Sequence, residues 1–181
     1  MLKFKEQPIN PANPDTIPKF IDQLIKPPTA ISRVNKNYPG TYYEIKMMKA
    51  KHQFHRNFPY SDVWGYDGIV PGPTIEAKKD YTTYVKYLNK LPEKHFLPID
   101  FSLHVANNSP EVRTVVHLHG ANVDSASDGH PEAWYTKDYA ATGPTFKREV
   151  HAYTNHQPGT TMWYHDHSMG LTRLNVCAGL A

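Results

Sequence analysis

Two pairs of histidines in this chain have the spacing of metal ligands on β-strands. They stand in two apolar segments, His117 and His119 in TVVHLHG and His165 and His167 in TMWYHDH. Side chains two residues apart on a strand point to the same face, so each pair presents both imidazoles on one side. Two such strands side by side would gather four imidazoles, and imidazole nitrogen binds zinc, copper, iron and nickel. The spacing therefore predicts a metal site.

The spacing alone supports only a hypothesis. With 11 histidines in 181 residues, chance produces roughly 0.7 His-x-His pairs. The surroundings favour a site, because both pairs lie among apolar and aromatic residues, where polar groups without a partner are costly. A metallo-β-lactamase pattern fails after His119, where GANV follows, and the Glu that a cupin site needs is missing. The lone cysteine, Cys177, excludes a Cys-rich zinc site and an intrachain disulfide framework.

The segments around the histidines are predicted to be short β-strands. Period-two alternation begins at Thr41 and predicts strands over 41–54, 72–79, 81–91, 113–120, 145–153 and 160–167. A Gly/Pro-rich turn is predicted over 68–74 and a long loop over 91–112, and the final LNVCAGLA is a strand-like apolar run. Short strands separated by turns indicate an all-β chain folded as a sandwich or barrel.

The first 40 residues differ in composition from the rest. They are rich in Pro, Asn and Lys, and one amphipathic stretch, 17–25, predicts a short helix that ends at Pro27 and Pro28. We therefore expect a Pro-rich N-terminal arm over 1–40 and a single domain over 41–181. Because the sequence stops within an apolar run, we also expect the domain to be truncated before its last strand.

Charge and hydropathy narrow the possible partners. The net charge is +3 and the basic residues are scattered, which does not favour nucleic-acid binding. No apolar run reaches the ~18 residues of a membrane span. The N-terminal sequence has no apolar core or small-residue cleavage site, so we predict no secretory signal.

Several segments together resemble the first domain of multicopper oxidases, in particular the bacterial spore-coat laccases. The resemblance is carried by HLHG with DGHPEAW, by WYHDH with LTRLNVCAGL, and by WGYDGIVPGPTIEAK, LPIDFSLH and GPTFKREV. It runs from about residue 41 to the end. It implies a cupredoxin-like Greek-key β-sandwich or barrel, in an enzyme of three such domains located in the spore coat. In that family a mononuclear copper takes electrons from substrate, and a three-copper cluster between the first and last domains reduces dioxygen to water.

The resemblance assigns a role to each paired histidine. His117 is implied as a ligand of the type 2 copper, and His119, His165 and His167 as ligands of the type 3 pair. Asp128 matches an acidic residue that helps move protons to reduced oxygen, a reaction that consumes protons. An alternative for Asp128 is a turn residue before Gly129.

Other residues near the histidines receive structural interpretations. Tyr164 and Asp166 are expected on the strand face opposite the histidines, and Asp166 is a candidate for orienting a ligand. Trp134, Trp163 and Cys177 are predicted to be core residues. Surface or hydrogen-bonding positions are predicted for the remaining histidines, namely His52, His55, His95, His104, His130, His151 and His156.

The chain lacks the family's remaining copper ligands. The His-Pro-x-His-x-His and His-Cys-His segments do not occur, and only four residues follow Cys177, so the type 1 copper site is not in this chain. The resemblance therefore implies C-terminal cupredoxin domains as partners, in the same polypeptide or in a second chain.

Three hypotheses follow from that incomplete ligand set. In the first, the chain is part of a laccase-like oxidase of phenolic or pigment substrates and is inactive alone. In the second, it is a stand-alone copper-binding or coat-structural protein. In the third, it forms a homo-oligomer whose four-histidine sites carry zinc or copper without a redox relay.

Overall fold

The computed structural model describes residues 13–103 and 108–181 of the protein. Within these ranges the chain forms six strands and one α-helix: β1 (Thr41–His52), β2 (Ser61–Tyr66), β3 (Thr83–Asn89), β4 (Val116–His119), β5 (Val150–Tyr153), β6 (Trp163–Asp166) and α1 (Thr172–Ala178). Two 3-10 turns cover Pro14–Thr16 and Lys137–Tyr139. The fold is mostly β, as the alternation predicted.

The strands form two sheets that share one core. The larger sheet has the order β2-β1-β3-β5, with β1 and β3 parallel and the other neighbours antiparallel. The smaller sheet pairs β4 with β6 antiparallel. Tyr164 of β6 contacts Tyr66 of β2 edge to face, with ring centroids 4.9 Å apart, and this contact joins the sheets.

Strict alternation on β3 shows how the core is built. Its residues alternate between buried and half-buried along its whole length, because successive side chains face opposite sides of the sheet. The buried side chains of β1, β2 and β3 form the centre of the apolar core, which consists mainly of Tyr43, Ile45, Met47, Trp64, Tyr66, Val85 and Tyr87. Valine and aromatic side chains suit such a pleated surface.

The described part of the chain contains no helix long and apolar enough to cross a bilayer.

Five of the predicted strands are confirmed, and one is wrong. Residues 72–79 form no strand, and only Thr74 makes an isolated bridge, to Thr29. Pro71 and Pro73 explain this, since each lacks the N–H that a ladder requires. Strand β2 was not predicted, although Val63 to Tyr66 are all buried in it.

The first five residues of the C-terminal run LNVCAGLA belong to helix α1 and not to a strand. Helix α1 turns Asn175 and Ala178 toward β2 and β6, and it ends where Gly179 N–H bonds to Val176 O and Leu180 N–H bonds to Asn175 O. A short apolar run satisfies both periodicities, which is why its pattern misled. Cys177 lies on the outer face and is exposed, so its prediction as a core residue is also wrong.

The predicted helix over 17–25 is not formed. This segment is irregular, and Phe20 has a positive φ of 60° and is fully exposed. A nine-residue helix is marginal without packing, and Pro18 lies within it. The segment contacts the body through Asp22, which pairs with Arg56 at 2.8 Å. Residues 1–12 of the predicted arm and His104 lie outside the described residues.

Buried His151 predicts that stability depends on pH. Burial lowers its pKa, and the nearby Arg148 adds to this effect. The hydrogen bond from His151 Nδ1 to Ser127 O at 2.8 Å and, more weakly, the charges of Asp124 and Asp128 oppose it. The unfolded chain therefore takes up a proton as pH falls below 6.5, the ordinary histidine value, before the folded chain does. Below that pH the free energy of unfolding should decrease. The decrease is about 1.4 kcal/mol for each tenfold weakening of proton binding to His151 on folding.

Denaturant unfolding at about pH 7.5 and about pH 5.5 checks this expectation. His151→Gln should lose less stability on acidification than the unsubstituted chain. His95, whose pKa burial also lowers, remains in both and acts in the same direction. An equal loss in both proteins would contradict the assignment to His151.

Candidate metal centre

Pairing of β4 with β6 brings the four predicted histidines together. His117 lies opposite His165 in the register, and His119 lies opposite Trp163. The ring centroid of His117 lies 5.5 Å from that of His119, 5.6 Å from that of His165 and 4.8 Å from that of His167. The predicted face is therefore occupied by four neighbouring imidazoles.

Backbone carbonyls hold three of these rings through their Nδ1 atoms. His117 Nδ1 bonds to Asp128 O at 2.5 Å, His165 Nδ1 to Asp166 O at 2.7 Å, and His167 Nδ1 to Gly129 O at 3.1 Å. A carbonyl accepts only, so each Nδ1 carries the proton and each Nε2 keeps its lone pair. Metal-binding histidines are oriented in this way. The three rings therefore present Nε2 as the free donor atom.

His119 presents the other ring nitrogen. Its Nδ1 lies 3.2 Å from His165 Nε2. Two nitrogens that each lie ~2.05 Å from one tetrahedral ion would be about 3.3 Å apart. Burial lowers the pKa of His165. The hydrogen bond to the Asp166 carbonyl opposes this shift, and the neighbouring imidazoles add to it. His165 is therefore neutral and its lone pair is available, so His119 and His165 fit as two ligands of one ion.

In the part of the chain that the structure describes, the paired histidines do not complete a metal site. Within residues 13–103 and 108–181, no group of three or more His, Cys, Asp or Glu side chains is arranged to hold an ion. This agrees with the pairwise arrangement of the rings, since two nitrogens leave a tetrahedral ion short of two ligands. The donor set therefore fits copper or another imidazole-binding ion, but only with ligands from elsewhere.

Asp128 contacts His117 through its backbone carbonyl as well as its carboxylate. Its carbonyl orients His117, and its carboxylate Oδ1 lies 3.5 Å from His117 Nδ1 with the side chain about half exposed. The adjacent Gly129 has a positive φ of 79°, as the turn interpretation requires. The two interpretations of Asp128 are therefore compatible. The SDG turn was visible in the sequence, but the roles of its carbonyls were not.

Asp166 lies on the opposite face, as predicted, and is fully buried. Burial raises its pKa to about 6, although hydrogen bonds from Asn175, Ser168 and Val115 oppose that rise. Asn175 and Ser168 were not singled out in the sequence, because nothing local marks a residue whose partner is distant. Tyr164 also lies on this face, and its hydroxyl donates to Pro73 O at 2.7 Å.

The two predicted core tryptophans differ. Trp134 is 8% exposed and belongs to the core, but Trp163 is 49% exposed, so its prediction is wrong. The register places Trp163 on the histidine face, where it stacks on His165 at 4.1 Å and on His119 at 5.4 Å. Strand alternation could have predicted this position of Trp163, since Trp163 and His165 are two residues apart and share a strand face.

Comparison with known proteins gives these features a family. The family model for multicopper oxidases matches residues 47–100 and 99–181. The chain is 52% identical over 168 residues to a laccase of Bacillus subtilis (strain 168), covering 91% of this chain and 33% of that protein. It is 53% identical over 164 residues to a laccase of Bacillus stratosphericus, covering 90% and 32%. The chain thus spans about a third of the length of these relatives.

A solved structure agrees in fold. The crystal structure of a laccase from Pediococcus acidilactici superposes with a TM-score of 0.64 at 23% identity, over 90% of this chain and 29% of that one. That similarity shows the cupredoxin-like fold alone. The family model covers most of the described strands and both histidine pairs, and we conclude that this chain belongs to the multicopper oxidase family.

Proposed function

We propose that this chain supplies half of the trinuclear copper site of a laccase-like oxidase. Membership in the family implies copper. The observation that carries the proposal is the pair of facing nitrogens, His119 Nδ1 and His165 Nε2, 3.2 Å apart. His117 would hold the type 2 copper, and His119, His165 and His167 the type 3 pair.

Each side chain then has a defined task. When bound, copper supplies one-electron transfer and the reduction of dioxygen to water, while phenols or pigments supply electrons through a type 1 site outside this chain. The carbonyls of Asp128, Gly129 and Asp166 fix the imidazole rings, so that little ordering remains when the metal binds. The carboxylate of Asp128 delivers protons from solvent, which its half-exposed position supports.

Metal and activity measurements test the proposal. The chain should retain copper and consume dioxygen with a phenol only when assembled with domains that bear a His-Cys-His segment. Denaturing mass spectrometry of the active material identifies the polypeptides present. Full turnover by the 20.7 kDa chain alone would overturn the proposal. Copper binding without turnover in every assembly would favour the stand-alone copper-binding or coat-structural hypothesis. A spore-coat location remains the expectation raised by the sequence resemblance.

Replacement of Asp128 tests the proton-transfer role. Asp128→Asn keeps the backbone carbonyl but removes the titratable group, so copper content should stay unchanged while dioxygen reduction slows by about 10-fold or more. Dioxygen uptake over a range of pH, with copper analysis, measures both. Asp124→Asn is the control, because Asp124 lies in the same loop and faces Arg148 at 3.6 Å instead of a paired histidine. Turnover equal to the parent at every pH would remove the proton role.

A further inference from the structure

The carboxylate of Asp166 accepts four hydrogen bonds in a fully buried position. Oδ1 accepts from Val115 N–H at 3.1 Å and from the Ser168 hydroxyl at 3.1 Å. Oδ2 accepts from Ser168 N–H at 3.0 Å and from the Asn175 amide Nδ2 at 2.9 Å. The two backbone N–H groups and the Asn175 amide nitrogen can only donate, whereas the Ser168 hydroxyl also lies 3.2 Å from Arg113 O. Three of the four partners therefore require an acceptor at this position.

His95 fixes which atom of the Asn175 amide faces Asp166. Leu97 N–H donates to His95 Nδ1 at 3.0 Å, so the proton of this neutral ring is on Nε2. His95 Nε2 then donates to Asn175 Oδ1 at 3.1 Å. That bond turns the amide nitrogen of Asn175 toward Asp166 and toward Arg113 O, which lies 3.1 Å away. The orientation of the Asn175 amide is therefore determined.

The same bonds define the backbone from which two proposed ligands project. His167 N–H donates to Val115 O at 2.8 Å, and Val115 N–H donates to the Asp166 carboxylate. His165 Nδ1 donates to the backbone carbonyl of Asp166 itself. The carboxylate thus ties the start of β4 to the segment that carries both histidines.

We propose that Asp166, held in place by Asn175 and His95, is a positioning residue of the metal centre that fixes the rings of His165 and His167 through the backbone. The inference rests on the function proposed above. The carboxylate contacts neither solvent nor the imidazole nitrogens proposed to bind metal. Its effect on the histidines is transmitted by the backbone. An amide at this position would turn its nitrogen toward at least one group that can only donate, whichever way it were oriented.

Asp166→Asn in the assembled oxidase tests the inference. Misplaced ligands should change the near-ultraviolet absorption of the copper pair and lower turnover by about 10–100-fold, as substitution of outer hydrogen-bond partners generally does. The control is Asn89→Ala, which removes a buried amide that bonds to Thr114 and Tyr135 and touches neither histidine. A parental absorption and turnover in Asp166→Asn would overturn the inference, as would an equal change in the control.

A measurement without copper separates this inference from the proposed function. In the ¹⁵N spectrum of the copper-free oxidase, His165 should carry its proton on Nδ1, and Asp166→Asn should produce a mixture of the two ring tautomers. Asn175→Ala, which leaves the carboxylate itself in place, should shift the mixture in the same direction if Asp166→Asn does not fold. An unchanged Nδ1–H signal in the folded variants would overturn the positioning role. The proposed function fails separately, if replacement of the histidines leaves copper in place.

Discussion

Replacing both His165 and His167 by alanine should abolish the trinuclear copper of the assembled oxidase. The double variant removes two of the four imidazoles that face one another across β4 and β6, including the nitrogen that lies 3.2 Å from His119 Nδ1. Turnover should fall by more than about 100-fold, since even outer partners of ligands contribute 10–100-fold. Copper per molecule, measured with the electron paramagnetic resonance of the remaining metal, checks the result. The mononuclear copper should stay, because the proposed function places its ligands outside this chain.

A matched control separates ligand loss from general damage. His130→Ala with His156→Ala also removes two imidazoles, but both side chains are exposed and lie outside the paired set. That variant should keep its copper and its turnover. Full copper retention in the His165 and His167 double variant would refute the ligand assignment. Equal losses in the two variants would show that the effect is not specific to the site.

The sequence predicted which imidazoles lie together, but it did not predict the backbone contacts that hold them. Alternation identifies which side chains share a strand face, and it placed His117 with His119 and Tyr164 with Asp166 correctly. It carries no information on backbone acceptors, because every residue has a carbonyl whatever its side chain. The bonds from His117 to Asp128 O and from His167 to Gly129 O therefore could not be predicted.

Errors in the predicted fold have the same physical origin. The eight-residue run LNVCAGLA fits both periodicities, so the choice for α1 depends on packing against β2 and β6, and β2 lies far away in the sequence. The bond from His95 to Asn175 spans 80 positions. Trp163 shows the opposite case, since the alternation that placed His165 on the histidine face also placed Trp163 there.

Gly129→Ala should both destabilise the protein and disturb the copper site. A Cβ at this position would lie 2.2 Å from Val116 O and 2.9 Å from His117 Cα, and the backbone has a φ of +79°. Strain at positive φ adds to this overlap with backbone atoms, which cannot rotate away, so we expect a loss of about 2–5 kcal/mol in the free energy of unfolding. Any backbone shift that relieves the overlap moves the Gly129 carbonyl that orients His167.

Two other glycines separate the causes of that loss. Gly120 has a similar φ of +83° but open space around its Cβ position, so Gly120→Ala should cost only about 1 kcal/mol from backbone strain. Gly159 has neither constraint, and Gly159→Ala should change stability by less than about 0.5 kcal/mol. Denaturant unfolding ranks the three variants, and copper analysis follows each. If Gly129→Ala were no worse than Gly120→Ala, the turn would be able to yield, and its carbonyls would not hold the rings of His117 and His167 as rigidly as we infer.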